Sequence, residues 1–226
     1  MHHRKKIGIV DDHPVFRKGL AQLINEETDL KVTMEAESVA QAMDLISRAL
    51  DAPGSDPDTG LDLVIVDLTL KDRSGIDLIQ FIHDHYPLLP VLVISMHSDV
   101  LYVQRVLKAG ALGYITKQEM TGNVVAAIRQ VIAGKRYVSA DMMDGLLEIM
   151  SAGANALADN PLETLSNREL EVFELMGHGY KRQEIAQRLN LSVKTIGTYL
   201  ESIKKKLNLK TTNELMTRAV TFVGQA

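Results

Sequence analysis

The chain has 226 residues, 46% of them apolar, a formal net charge of −4 and no cysteine. That length and apolar content suffice for one or two domains with buried cores, and the lack of cysteine excludes disulfides and thiolate metal sites. The charge is uneven: residues 164–226 carry 10 Lys+Arg against 6 Asp+Glu, which leaves 15 against 23 in residues 1–163. An acidic first part and a basic last part predict two domains with different partners. Asp67 interrupts the best apolar run short of membrane-spanning length. MHHRKKIGIV, followed at once by two aspartates, is too short and too acidic for a signal peptide. A cytoplasmic protein with no membrane partner is expected.

Five short apolar segments, KKIGIV, LKVTMEAE, LDLVIVDL, PVLVISM and GYIT, each precede a helical pattern: Val15–Glu27, Val39–Leu50, Ile76–His85, Val100–Ala109 and Asn123–Ala133. In the last of these, Val124, Val125, Ile128, Val131 and Ile132 recur with the period of a helix. Continuous Val/Ile/Leu strands are buried on both faces, and strict alternation with helices implies a parallel sheet covered on each side by right-handed crossovers. Such sheets bind ligands at the carboxyl ends of their strands. There the sequence places Asp11 and Asp12, Asp67, Ser95, and Thr116 with Lys117. Clustered carboxylates raise one another's pKa unless a cation relieves them, and Mg²⁺ prefers carboxylate oxygen. An aspartate held beside Mg²⁺ and a lysine has the surroundings of a nucleophile toward phosphorus, with Ser95 able to donate to the product phosphate.

IGIVDDH, LVIVDLTL, VLVISMH and KAGALGYITK stand here in an order and spacing that resemble the receiver domain of two-component response regulators, over residues 7–134. The resemblance implies a flavodoxin-like (βα)5 fold with a parallel five-stranded sheet. It makes Asp67 the phosphoacceptor, Asp11 and Asp12 the acidic Mg²⁺ pair, and Thr69 the donor of a backbone carbonyl to the metal. Ser95 becomes the switch hydroxyl, Tyr114 the switch aromatic that turns inward on phosphorylation, and Lys117 the phosphate-pairing lysine. Lys71 and Gln118 stand where relatives have proline, and the 52–60 connection is longer than usual; that loop is expected to leave the pocket intact. An aspartyl-phosphate phosphatase is the rival reading, but Thr69 replaces the second acid such enzymes carry two residues after the nucleophile. No enzyme is expected beyond a receiver that catalyses its own phosphorylation and dephosphorylation.

GKRYVSADMMDGLLEIM predicts a short helix capped by Ser139, with Met142, Met143, Leu146, Leu147 and Met150 on its apolar side. Residues 151–163 read as a tether. LSNRELEVFELM then opens on Ser166, with Glu169 three residues later to complete a capping box, and Gly177 and Gly179 end that helix. RQEIAQRL, VKTIGTYLESIKKKL and TNELMTRAVTFV predict three more helices. In the third of the four, Ile196, Leu200, Ile203 and Leu207 form one narrow core stripe, with Lys194, Thr198, Glu201 and Lys205 opposite. A short helix, a turn and a longer helix with a polar outer face make a helix-turn-helix, whose second helix enters the DNA major groove.

LSNRELEVFELMGHGYKRQEIAQRLNLSVKTI, continuing to IKKKLNLKT, resembles the four-helix DNA-binding domain of the LuxR/NarL/FixJ family. The resemblance implies double-stranded DNA, a two-fold symmetric site, a homodimer when active and a sensor histidine kinase as phosphate donor. The DNA-facing residues would be Lys181, Arg182, Lys194, Thr195, Thr198, Tyr199, Glu201 and Lys205. Gly197 and Glu201 depart from the usual base-reading residues, and Glu201 could accept from cytosine N4. The expected organisation is a receiver over 4–134, a linker over 135–163 and the helix-turn-helix over 164–226. Phosphorylation would control DNA binding, with an acidic receiver covering a basic domain at rest; the alternative is a phosphorylation-independent regulator whose receiver only dimerises.

Overall fold

The computed structural model describes residues 4–51, 60–97, 99–151 and 160–224. The chain divides after Met143 into two compact units. In the first, strands β1 (Lys5–Val10), β2 (Leu30–Ala36), β3 (Leu63–Val66), β4 (Val91–Ser95) and β5 (Gly113–Thr116) alternate with helices α1 (Pro14–Asn25), α2 (Val39–Asp51), α3 (Gly75–His85), α4 (Val100–Lys108) and α5 (Met120–Ile132). A further strand, β6 (Tyr137–Val138), pairs with β5, so the parallel sheet has six strands in the order β2-β1-β3-β4-β5-β6. This corrects the expected five, and the sheet runs on into the segment read as linker. Two residues carry no periodicity that could announce a strand; backbone pairing to Gly113 and Tyr114 makes it one.

Strand residues alternate between two cores, as the pleat requires. Ile7, Ile9, Leu63, Ile65, Leu92, Ile94 and Ile115 join Leu20 and Ile24 of α1 with Val124, Ala127, Ile128 and Val131 of α5. Helices α2, α3 and α4 pack on the remaining face. Pro14 opens α1 at a position where its missing N–H costs nothing. The start of α3 comes close to the loop behind β3: a Cβ on Gly75 would lie 2.1 Å from the Asp67 carbonyl oxygen, and the Gly75 N–H donates to the Leu68 carbonyl at 2.7 Å. Only glycine permits that approach.

Helix α6 (Ala140–Ser151) forms where expected, but the Ser139 hydroxyl makes no hydrogen bond and the start is held by the Met143 N–H to the Ser139 carbonyl. Met142 and Leu146 are buried, whereas Met143 and Leu147 are exposed. The expected stripe is therefore narrower, and the Met150 side chain lies outside the described ones. Most of the 52–60 loop and of the 151–163 tether also lies outside the described residues. At the tether's end, Pro161–Thr164 forms a 3-10 turn capped by the Asn160 side chain.

The second unit holds α7 (Asn167–Gly177), α8 (Arg182–Arg188), α9 (Val193–Lys206) and α10 (Thr212–Val223). The capping box predicted at Ser166 and Glu169 is present in both directions. Helix α7 stops as Gly179 takes a left-handed φ of 85°, with the Tyr180 N–H reaching back to the Leu175 carbonyl. Ile196, Leu200 and Ile203 are buried, while Leu207 at the end of the stripe is half-buried.

Candidate functional site: a carboxylate pocket and a helix-turn-helix face

Asp11 follows β1, Asp67 follows β3 and Lys117 follows β5, so three separated stretches deliver one ionic cluster. The Asp67 N–H continues the ladder to the Val10 carbonyl at 2.9 Å, fixing its backbone beside Asp11. Lys117 Nζ bridges the two acids, donating to Asp67 Oδ2 at 2.7 Å and Asp11 Oδ2 at 2.8 Å. The ammonium also lies 4.2 Å from the centre of the Phe16 ring, a cation–π contact. All three charged side chains are more than nine-tenths buried.

Burial pushes the Asp67 carboxyl up, and Asp11 beside it adds to the rise, so that it reaches about 6 despite Lys117. Burial likewise raises Asp12, with Asp11 adding to it. For Lys117, burial disfavours the cation, but Asp67 and Asp11 outweigh it and hold the lysine above its ordinary value. The pocket is short of positive charge.

With both Oδ2 atoms taken by Lys117, the Oδ1 atoms remain on offer. Asp67 Oδ1 accepts weakly from the Thr69 N–H at 3.3 Å; Asp11 Oδ1 accepts from the His13 N–H at 2.7 Å. Asp12 Oδ1 is buried and makes no hydrogen bond. Oxygens of the three carboxylates and a nitrogen of His13 lie within 4.8 Å of one another. An unsatisfied buried carboxylate oxygen among other hard donors is the chemistry a small divalent cation satisfies, so the three carboxylates fit Mg²⁺. The structure contains no metal.

Ser95 is fully buried, and its Oγ accepts from the His97 N–H at 3.2 Å. That leaves the hydroxyl proton available to another acceptor. Tyr114 is also fully buried, with its OH donating to the His97 carbonyl at 2.7 Å. The aromatic expected to turn inward on phosphorylation is thus already inward, held by that carbonyl. Lys71 sits at the pocket rim, its Nζ 3.5 Å from the Asp12 carbonyl oxygen.

Four residues at the pocket had no assigned role in the sequence. Phe16 faces Lys117; the Arg17 guanidinium donates to the Asp11 carbonyl. His97 joins Ser95 and Tyr114 through its backbone and Thr69 Oγ1 through Nε2 at 3.2 Å. His13 Nδ1 lies 2.8 Å from Asp12 Oδ1. Phe16 and Arg17 lie on α1, where nothing in a helical pattern distinguishes a residue facing a pocket. For the two histidines the available signal was adjacency to Asp12 and proximity to Ser95.

In the second unit, Lys181, Arg182, Lys194, Thr198, Glu201 and Lys205 are all exposed, and Thr195 and Tyr199 are half-buried. Ser192 caps α9 through the Thr195 N–H at 3.0 Å. The structure separates the lysine triplet 204–206. Lys206 donates to Glu169 at 2.6 Å, Lys204 pairs with Glu201 at 2.9 Å, and Lys205 stays exposed on the outer side. A Cβ on Gly197 would meet nothing within 4 Å, so this glycine answers no packing need among the described residues. Arg188 lies over the Tyr180 ring at 4.0 Å.

The model of the response regulator receiver domain matches residues 7–129, and that of bacterial regulatory proteins of the luxR family matches residues 163–219. The chain is 33% identical over 219 residues to the oxygen regulatory protein NreC of Staphylococcus carnosus, covering 95% of this chain and 96% of that protein. Among solved structures it resembles RcsB from Salmonella enterica serovar Typhimurium bound to the promoter rprA with phosphomimetic BeF3−, with a TM-score of 0.59 and 26% identity over 98% of this chain and 99% of that one. It also resembles a LuxR-family response regulator from Aurantimonas sp. SI85-9A1, with a TM-score of 0.57 and 30% identity over 64% of this chain and 96% of that one. With a receiver and a luxR-type unit matched in this order, the chain belongs to the LuxR-type two-component response regulators and is a phosphorylation-dependent, DNA-binding transcription regulator.

Proposed function

We propose that Asp67 is the phosphoacceptor, receiving its phosphoryl group from a phosphohistidine of a sensor histidine kinase. The observation that carries this is the buried Asp67 carboxylate bridged through Lys117 to Asp11. An Asp67 oxygen forms the new P–O bond as the P–N bond of the donor breaks, and the electron pair leaves with the imidazole. Lys117 lies next to the incoming phosphoryl oxygens and pairs with them. Ser95, whose Oγ already accepts from His97, donates its proton to a phosphoryl oxygen. Asp11, Asp12, Asp67 and the Thr69 backbone carbonyl would hold Mg²⁺, which supplies charge neutralisation on the phosphoryl group. With Thr69 in place of a second acid, the receiver catalyses only its own phosphorylation and dephosphorylation.

Residues 4–134 serve this chemistry, 135–163 add strand β6 to the sheet and then connect, and 164–226 bind double-stranded DNA as a homodimer on a two-fold symmetric site. Lys181, Arg182, Lys194 and Lys205 supply phosphate contacts, and Thr195, Thr198, Tyr199 and Glu201 face bases or backbone. Phosphorylation shifts a population of receiver states. Among the described residues no helix is long and apolar enough to cross a membrane, in keeping with a cytoplasmic protein.

The test is labelling with acetyl phosphate and selection of binding sites from random DNA, with and without beryllofluoride. Label should appear on Asp67 and vanish in Asp67→Asn, and beryllofluoride should tighten DNA binding. Equal affinities and equal salt slopes for phosphorylated protein and Asp67→Asn would overturn phosphorylation control and favour a receiver that only dimerises.

A further inference from the structure

The acidic pocket contains a nitrogen donor that neither the proposed phosphoryl chemistry nor the local backbone uses. His13 stands at the position just before α1, where a side chain commonly caps the helix, yet its ring makes no capping bond. The ring turns instead toward the two acids, with Nδ1 at 2.8 Å from Asp12 Oδ1 and hydrogen-bonded to Asp11 Oδ1 at 3.3 Å, a bond that an ion seated between them would replace. The Asp12 contact is not aligned as a hydrogen bond, since Asp12 Oδ1 has no hydrogen-bond partner although it is buried. Ligands around an octahedral ion with bonds of about 2.0–2.1 Å lie about 3 Å from their neighbours. The two Nδ1–oxygen distances bracket that edge length. The His13 side chain is 64% exposed, so an arriving ion meets it at the mouth of the pocket.

We propose that His13 is a further protein ligand of the divalent-cation site, through Nδ1, and that the site therefore favours nitrogen-accepting transition ions over Mg²⁺. The inference rests on the reading of Asp11, Asp12 and Asp67 as the cation site and adds a ligand to it. Carboxylates and carbonyls alone suit Mg²⁺ and Mn²⁺, whereas an imidazole adds little for these ions and much for Co²⁺ or Ni²⁺. Lys117 holds the Oδ2 atoms of Asp11 and Asp67, which leaves the Oδ1 side and His13 as the donor face.

The experiment uses the full chain with His2 and His3 replaced by alanine throughout, so that the N-terminal pair contributes no nitrogen. Mn²⁺ is bound to this protein and to His13→Ala and His13→Asn, and nitrogen coupling is read by pulsed electron spin resonance. Co²⁺ and Mg²⁺ affinities are measured by calorimetry. Asparagine can still hydrogen-bond to the acids but is a poor ligand, so it separates ligation from a purely ionic role. The expected result is a nitrogen coupling lost in both variants, with Co²⁺ binding weakened about tenfold or more and Mg²⁺ binding changed by no more than about twofold. Absence of that coupling in the parent, or equal weakening of Co²⁺ and Mg²⁺, would overturn the proposal and leave His13 as an ion-pair partner of the acids. Asp12→Asn is the control on the underlying reading: if it weakens neither ion, the cation site itself is misplaced and the ligand falls with it.

Discussion

Both units bury a carboxylate against a lysine at nearly the same distance, and the two carboxylates respond in opposite directions. Asp67 meets Lys117 at 2.7 Å and Glu169 meets Lys206 at 2.6 Å. Burial raises both, and for Asp67 it wins, with Asp11 alongside, taking the group to about 6. For Glu169 burial is overcome by hydrogen bonds from Lys206, Ser202 and Ser166, and the group falls to about 2. Each Glu169 oxygen has strong donors: the Ser202 hydroxyl on Oε1 at 2.6 Å, and the Ser166 N–H and Lys206 on Oε2, each at 2.6 Å. Asp67 has Lys117, shared with Asp11, and one long bond from Thr69. One distance thus serves two purposes: a satisfied carboxylate anchors a fold, and an under-satisfied one is kept ready to bind charge. Sites built for reaction commonly sacrifice stability in this way.

The contrast can be broken most sharply at the two acids themselves. Asp67→Asn should abolish phosphoryl labelling, a complete loss read by mass spectrometry after acetyl phosphate treatment. Glu169→Gln should destabilise the second unit by about 2 kcal/mol, because one change weakens a capping box, a hydroxyl bond and an ion pair together. Thermal unfolding of the full chain should show a drop on the order of 10 °C in the transition of that unit. The Glu169 stabilisation is present above the ordinary value of 4.5 and is lost as pH falls toward about 2. Acid titration followed by circular dichroism should therefore show the second unit loosening in that window in the parent, and far less pH dependence there in Glu169→Gln.

Asp67 carries the opposite sign. A carboxyl raised from 3.8 to about 6 favours the folded state only at low pH, and that contribution is lost as pH rises through about 6. Asp67→Asn in metal-free buffer at pH 7 should consequently leave the first unit as stable as the parent or more stable, by about 1–2 kcal/mol. A clear destabilisation would erase the distinction drawn between the two acids. The lysine triplet gives a smaller effect of the same kind. Lys206→Ala should lower the melting temperature, since it strips Glu169 of a donor, whereas Lys205→Ala should leave melting unchanged and weaken DNA binding. Smallest of all, Lys181→Ala should reduce the slope of log affinity against log salt by roughly one.

The order of elements, the strand-end acids and the cap at Ser166 were legible because each rests on local pattern. Helix α10 begins and ends where its sequence run does, and β1 and β5 do likewise. What escaped depends on residues far away in the chain. Strand β6 exists because β5 offers an open edge. The Ser139 hydroxyl, in a favourable position by sequence, makes no cap. Tyr114 is held inward by the His97 carbonyl, a contact that no motif encodes.

The sequence by itself determined which chemical groups stand at the strand ends and on the outer face of α9, because side-chain periodicity within one element follows from the backbone of that element alone. Tertiary structure alone decided their state. Asp11 and Lys117 meet across a separation of 106 residues and Glu169 and Lys206 across 37, and only such meetings fix burial, shared donors and neighbouring charge. Those three quantities set whether a buried carboxylate rises or falls, and so which of two similar ion pairs holds the fold and which is poised for phosphate.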